Sequence, residues 1–270
     1  MVNKLISLDD AANIIEDGQM LALGGMTLYR RPISFVLSLL KRYRKDGSPS
    51  NLTLFAFTAG LESDLLVGSG MITTIRTCYF GLEIFGLAPM FTYFANNGKV
   101  KILEETEASL AFGLRAQMAG LNFMPGLGWI GTDLPKLRPD VRKIIDPYSG
   151  EELMAYPAIK PDIAIIHALR ADSEGNAVIG KNKGVDEELA VVSSKVVITC
   201  EEIVPSLDTA DIPSPFVDAV IHAPNGARPT SCHPLYPLEG EGILEYVEKV
   251  SSPETWRAYI TFLLSREDDY

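Results

Sequence analysis

The chain has 270 residues, of which 47% are hydrophobic and 22% charged, enough apolar side chain to build a large core without disulfides or metal. The formal charge of −11 and an isoelectric point near 4.8 exclude nucleic acid and anionic membrane as main partners, because an acidic surface is repelled by both. Cys78, Cys200 and Cys232 are an odd, widely spaced set with neither a disulfide framework nor zinc spacing. Met1 to Asp10 lacks the basic-then-apolar pattern of a signal peptide, and no apolar run reaches the ~18 residues of a membrane span. The expectation is a cytoplasmic, reduced protein, a single domain over 1–270 with a helical tail at about 240–270.

In chain order, residues 7–18 predict a short helix capped by Ser7 or Asp9 and closed by Gly18. MLALGG is a buried strand running into a double glycine, and Thr27–Pro32 a loop. The spacing of Phe35, Leu37, Leu39 and Leu40 predicts a helix over 33–46 that ends in a basic turn. NLTLFAF at 51–57 is a strand followed by the loop Thr58–Gly60. Glu62–Val67 is helical and leads to Gly68 and Gly70, and 72–80 is strand-like. Residues 104–120 read as a helix. Glycine and proline mark 121–139 as a long loop or lid. Short strands fill 140–160 around a turn at Tyr148–Gly150. Strands follow at 162–169, at VVITCEE and at 217–224, with a turn at Gly175–Asn176 and a helix at 186–194. The tail from Glu239 to Ser265 is helical and broken near Pro253.

This alternation of strand, glycine and helix predicts an α/β fold: an open, mainly parallel sheet with helices on both faces. Ligands in such sheets bind beyond the carboxyl ends of the strands, so the loops after MLALGG, NLTLFAF and TTIRTCYF are the places to search. Gly24–Gly25 lets backbone amides approach a ligand oxygen, and Arg30 and Arg31 offer forks for a carboxylate or phosphate. A tight turn with two solvated arginines is the plain alternative, and G-x-G-x-x-G spacing is absent. Glu104, Glu105 and Glu107 stand at a helix start, where the macrodipole favours carboxylates. His167, His222 and His233 are too scattered for a metal set, and two follow buried strands. Cys200, on a buried strand, reads as a small hydrophobe.

The run Asp17-Gly18 through Leu21-Ala22-Leu23-Gly24-Gly25 resembles the signature of family I CoA-transferase first subunits. Its continuation Arg30-Arg31-Pro32 is similar to the glutaconate CoA-transferase branch. Collinear matches follow at Val67–Gly70, Thr77–Tyr79, Asp162–Ala168, Val185–Ile203, Asp211–Pro213, Val217–Val220 and Ala223–Pro229, so the resemblance spans roughly residues 5–250.

The resemblance implies transfer of CoA from an acyl-CoA to a small carboxylic acid through a glutamyl-CoA thioester. It places that glutamate on a second subunit, as heterodimer or heterotetramer. No cofactor is implied beyond the CoA thioester used as substrate. Ser173-Glu174-Gly175-Asn176 has similar letters in another order and reads as a turn. Gly24, Gly25, Thr27, Arg30, Arg31, Thr58 and Ser69 are the candidate substrate-binding residues. The surroundings of Glu107 also resemble the first subunit of steroid ring-opening CoA hydrolases, which makes Glu107 the candidate catalytic residue here. A third alternative is a noncatalytic acyl-CoA or sugar-phosphate binder of the same fold.

Overall fold

A computed structural model describes residues 2–267. The chain starts with α1 (Leu8–Ile14), where Ser7 and Asp10 form a reciprocal capping box. Strand β1 (Met20–Leu23) leads through the double glycine to α2 (Ile33–Asp46), which stops at Gly47 in the left-handed conformation, φ 70°. Next come β2 (Leu52–Phe55), the short β3 (Thr58–Ala59), α3 (Leu61–Ser69), β4 (Ile72–Thr77), β5 (Tyr79–Phe80), α4 (Pro89–Asn96), β6 (Lys101–Glu104) and α5 (Glu107–Met118). Residues 121–157 form β7 (Phe123–Gly126), α6 (Leu134–Leu137), β8 (Arg142–Ile145) and β9 (Glu152–Pro157). The chain closes with β10 (Ile163–Asp172), β11 (Ala177–Val178), α7 (Asp186–Val192), β12 (Lys195–Val204), β13 (Ala219–His222), α8 (Gly240–Lys249) and α9 (Pro253–Glu267).

The eight-stranded main sheet runs β13-β12-β10-β1-β2-β4-β6, parallel throughout, with β11 antiparallel on the end of β10. Both faces are covered, as the apolar strand runs require. Leu21, Leu23, Ile163 and Ile165 point to the core beneath α1–α4, α8 and α9. Ala22, Ala164 and Ile166, one residue out of phase, point to the core beneath α5 and α7. No described helix is long and apolar enough to cross a membrane.

Thr58–Ala59, read as loop, pair as β3, Glu104, read as helical, ends β6, and two longer segments differ more from the sequence reading. Residues 121–139 are not one loop: β7 pairs with β9 in a separate antiparallel sheet, from Phe123↔Pro157 to Gly126↔Met154. Pro125 is tolerated because β7 is an edge strand. At Gly126 a Cβ would lie 2.6 Å from the Phe112 ring, so the glycine that suggests a loop is there for helix–strand packing. Residues 89–96, for which the sequence pattern shows no element, form α4, and the reason is tertiary: its first amides, Met90 and Phe91, donate to Asp64 on α3 at 3.1 and 2.6 Å. The Tyr246 hydroxyl of α8 donates to the same carboxylate at 2.6 Å. Burial pushes the Asp64 carboxyl up to about 6, against these three donors.

A raised carboxyl gives stability that is complete below the unfolded value near 3.8 and is lost as pH rises through about 6. Native protein should therefore lose melting temperature relative to Asp64→Asn between pH 4 and 6.5. Parallel melting curves for the two proteins over that range would refute the assignment.

Candidate active site at the strand ends

The strand order reverses at β1: β2, β4 and β6 lie on one side, β10, β12 and β13 on the other. The crevice at such a switch point is the usual ligand site of a parallel sheet. Here it is filled. Arg30 leaves the loop after β1, donates to the His167 carbonyl at 2.5 Å and the Asn182 carbonyl at 3.0 Å, and pairs with Asp186 at 2.8 Å. Both side chains are essentially inaccessible. Both oxygens of the same Asp186 carboxylate accept from the Gly25 amide, at 3.0 and 3.1 Å, and the Gly24 amide donates to the Ile165 carbonyl at 2.9 Å.

These contacts correct three expectations. Gly24 and Gly25 do not offer free amides to an oxyanion. Their small size serves packing instead: a Cβ on Gly24 would meet Asp186 at 2.9 Å, and one on Gly25 would meet the Tyr29 carbonyl at 2.6 Å. Arg30 is not a ligand clamp, and neither is Arg31, which is fully buried, pairs with Glu62 and donates to the Thr58 carbonyl at 3.1 Å. Ser69 lies at the other end of the sheet, before β4; its hydroxyl donates to the Leu66 carbonyl at 2.6 Å and closes α3. A charge at a strand end looks the same in sequence whether it faces solvent or a buried counter-ion.

The open rim is displaced to the ends of β2, β4 and β6. Thr27, at φ 41°, and Arg30, at φ 51°, hold left-handed backbone that is costly for a β-branched or long side chain. The strain is held by the Thr27 amide, which donates to Thr58 Oγ1 at 2.9 Å, and by the passage of the Thr27 carbonyl over Gly60, where a Cβ would stand 2.2 Å away. Thr27, half-buried, and the buried Thr58 are thus brought together. Cys78, after β4, donates its thiol to the Phe57 carbonyl at 2.8 Å. Burial first, and the Glu107 and Glu105 carboxylates second, push that thiol up to about 11. Cys78 is therefore a neutral donor beside Glu107.

Glu107 is exposed at the first position of α5, and no side-chain hydrogen bond from it is found among the described residues. Its placement rests on residues that sequence reasoning left out. Thr106 caps α5 reciprocally with Ser109, and the buried Trp129 indole donates to Thr106 Oγ1 at 3.0 Å. Glu105, next to it, is buried between Arg76 Nε and Arg138 Nη1, each at 2.7 Å, and Arg138 grips Asp140 with two bonds of 2.8 Å. Of two carboxylates two residues apart, one is locked inside and the other faces out. The local pattern Thr106-x-x-Ser109 is a signal that could have found the cap; Arg138, 33 residues from Glu105 in the chain, gives none. The Gly126–Trp129 turn runs alongside α5, and a Cβ on Gly128 would lie 3.7 Å from Ala108 Cβ.

Beside the filled crevice is a second buried network. The scattered histidine His167 meets Thr199 Oγ1 through Nδ1 and Glu201 Oε1 through Nε2, both at 2.8 Å. Glu201 also accepts the Tyr236 hydroxyl and the Asn225 amide. Burial lowers the His167 pKa against the pull of Glu201, and burial raises Tyr236. His167, Glu201 and Cys232 come close enough to face one ion. Both imidazole nitrogens and both Glu201 oxygens are already engaged, so the group acts as a structural brace.

A coenzyme A transferase family model matches residues 5–223. The chain belongs to the coenzyme A transferase family. It is 29% identical to the first of the glutaconate CoA-transferase subunits of Acidaminococcus fermentans, over 100% of this chain and 91% of that one. The crystal structure of that glutaconate CoA-transferase superposes with a TM-score of 0.86 at 27% identity, covering 96% of this chain and 87% of the other. The chain is 30% identical to the cholesterol ring-cleaving hydrolase IpdA subunit of Rhodococcus jostii, over 99% and 94% of the two chains. A protein of Archaeoglobus fulgidus is 33% identical over 96% of this chain, which spans 59% of that relative's length.

If the Arg30–Asp186 pair carries the loop after β1, Asp186→Ala should cost about 3–5 kcal/mol by leaving a buried guanidinium uncompensated. Arg30→Met combined with Asp186→Leu should recover most of that loss. Urea unfolding checks both, and additive losses in the double variant would refute the pairing.

Proposed function

We propose that this chain is the first subunit of a heteromeric CoA-transferase that moves CoA between an acyl-CoA and a small carboxylic acid, and that the nucleophilic glutamate lies on the partner subunit. The observation that carries the reading is the fate of the carboxylates beyond the strand ends. Asp186, Glu62 and Glu105 are each held by arginine in the interior and cannot reach a thioester. Glu104 and Glu107 remain outside, Glu107 at a helix start that favours the anion.

In this reading the partner's carboxylate attacks the thioester carbonyl, the C–S bond breaks and CoA leaves as thiolate from a mixed anhydride. The thiolate then attacks the glutamyl carbonyl, releases the first acid and leaves the glutamyl-CoA thioester, which the second acid reverses. This chain supplies the floor of the pocket. The hydroxyl of the half-buried Thr27 donates to the acid's carboxylate, Tyr79 and the neutral Cys78 thiol form the wall, and Gly24, Gly25, Thr58, Arg30 and Arg31 hold that floor rigid from behind.

The tagged chain, isolated with its bound partner and treated with acyl-CoA and borohydride, should show reduced glutamate on the partner, and the chain alone should show no CoA exchange. Robust exchange by the chain alone would refute the assignment.

One observation favours a second reading, a hydrolase of cyclic CoA thioesters: Glu107 is exposed, lacks an internal hydrogen bond among the described residues and is braced by Thr106, Trp129 and the buried Glu105. A general base needs that placement. For the transferase, Glu107→Gln should lower kcat by no more than about tenfold, whereas loss of a general base costs about 10²–10⁴. A folded Glu107→Gln complex losing more than about a thousandfold would decide for the hydrolase.

A further inference from the structure

Between β5 and α4 the chain makes a compact turn, Leu82–Ala88, on the strand-end rim. Its two feet are in the core: Leu82 is 0% and Ala88 1% exposed. Three backbone bonds close it, Leu82 N to Gly86 O at 3.0 Å, and Phe85 N to Leu82 O and Gly86 N to Glu83 O at 3.1 Å. Phe85 packs down on Gly240 at the start of α8, where a Cβ would lie 3.2 Å from its ring. The two apolar side chains left over point outward, Ile84 at 91% and Leu87 at 72% exposure.

Three features set the turn apart from an ordinary surface loop. Glu83 adopts φ 56°, a left-handed conformation that glycine would hold without strain. The turn is closed by its own backbone hydrogen bonds and anchored at both buried ends, which lowers the ordering entropy of presenting Ile84 and Leu87 to a partner. It also continues the Thr58↔Tyr79 and Ala59↔Phe80 pairing that forms one wall of the candidate site. The apolar tip is flanked by the exposed carboxylates of Glu83 and, on the first turn of α8, Glu241.

We propose that the Leu82–Ala88 turn is a docking knob for the second, different CoA-transferase subunit, whose surface offers an apolar recess bordered by lysine or arginine. The inference rests on the two-subunit reading above. The charges select among occupants. A two-fold contact between copies centred on this turn would bring the Glu83 and Glu241 carboxylates of both copies together, and the whole chain carries −11. An anionic lipid surface is repelled by the same carboxylates. A recess with basic borders is attracted, and docking there would take the exposed Ile84 and Leu87 side chains out of water together.

The test uses the complex of this chain with the second subunit that co-purifies with the tagged chain, with association measured by sedimentation and folding by circular dichroism. Ile84→Asp and Leu87→Asp should each weaken association at least about thirtyfold while leaving the fold intact. Glu83→Lys should weaken it several-fold, by a factor that shrinks with added salt. Tyr148→Asp, on the distal antiparallel sheet, should change nothing. Native-like association of folded Ile84→Asp and Leu87→Asp would overturn the proposal, and so would a dimer of this chain alone that Ile84→Asp dissolves. CoA exchange decides the function separately. A knob-dependent complex without exchange sinks the transferase reading alone, and a trapped, active complex indifferent to the knob sinks the knob alone. Failure of the native chain to bind any second subunit overturns both.

Discussion

The arrangement of the whole strand-end surface depends on one buried ion pair. Arg30 and Asp186 meet at the point where the strand order reverses, in the crevice that a parallel sheet ordinarily leaves for its ligand. Two ions out of water carry a heavy desolvation penalty, and the pair alone does not offset it. What makes the arrangement tenable is that most of the remaining donors and acceptors are used: Arg30 donates to two backbone carbonyls, and Asp186 accepts the Gly25 amide. The pair thereby ties the loop after β1 to β10 and to the start of α7, although the loop is more than a hundred residues from both in the chain. Arg30 Nε, left without a partner, shows that the satisfaction is incomplete.

The same device recurs along the rim. Arg31 is closed on Glu62, and Arg76 and Arg138 on Glu105. Each guanidinium and each carboxylate so used is paired inside the protein and serves rigidity. The strained residues follow from this. Thr27 and Arg30 can hold positive φ because Thr58, Gly60 and the ion pair over-determine the loop. Glu83 holds it because Leu82, Phe85 and Ala88 are anchored on either side.

The periodic parts of the fold were legible in the residues alone. The apolar spacing of Phe35, Leu37, Leu39 and Leu40 marked α2 over the range it occupies, and the run at Asp162–Leu169 marked the buried strand that became β10. The regions that failed are those whose signals have two physical meanings. Gly126 and Pro125 read as loop because both punctuate loops, yet here one accommodates Phe112 and the other sits on a sheet edge. α4 has no cap of its own in sequence; its cap is Asp64, from another helix.

The sequence by itself determined the class of sheet, the family and the positions of the strand-end loops, because these depend on local alternation of apolar residues and on collinear motifs. It could not determine which charged residues face a substrate. Arg30, Arg31, Glu105 and Glu107 are all ionic residues next to strand ends, and their fate turns on counter-ions supplied by Asp186, Glu62, Arg76 and Arg138. Burial of a charge is a property of what packs against it, and those partners become neighbours only when the sheet assembles. For that reason only the tertiary structure decided that the arginines brace the rim and that Glu107 is left facing out.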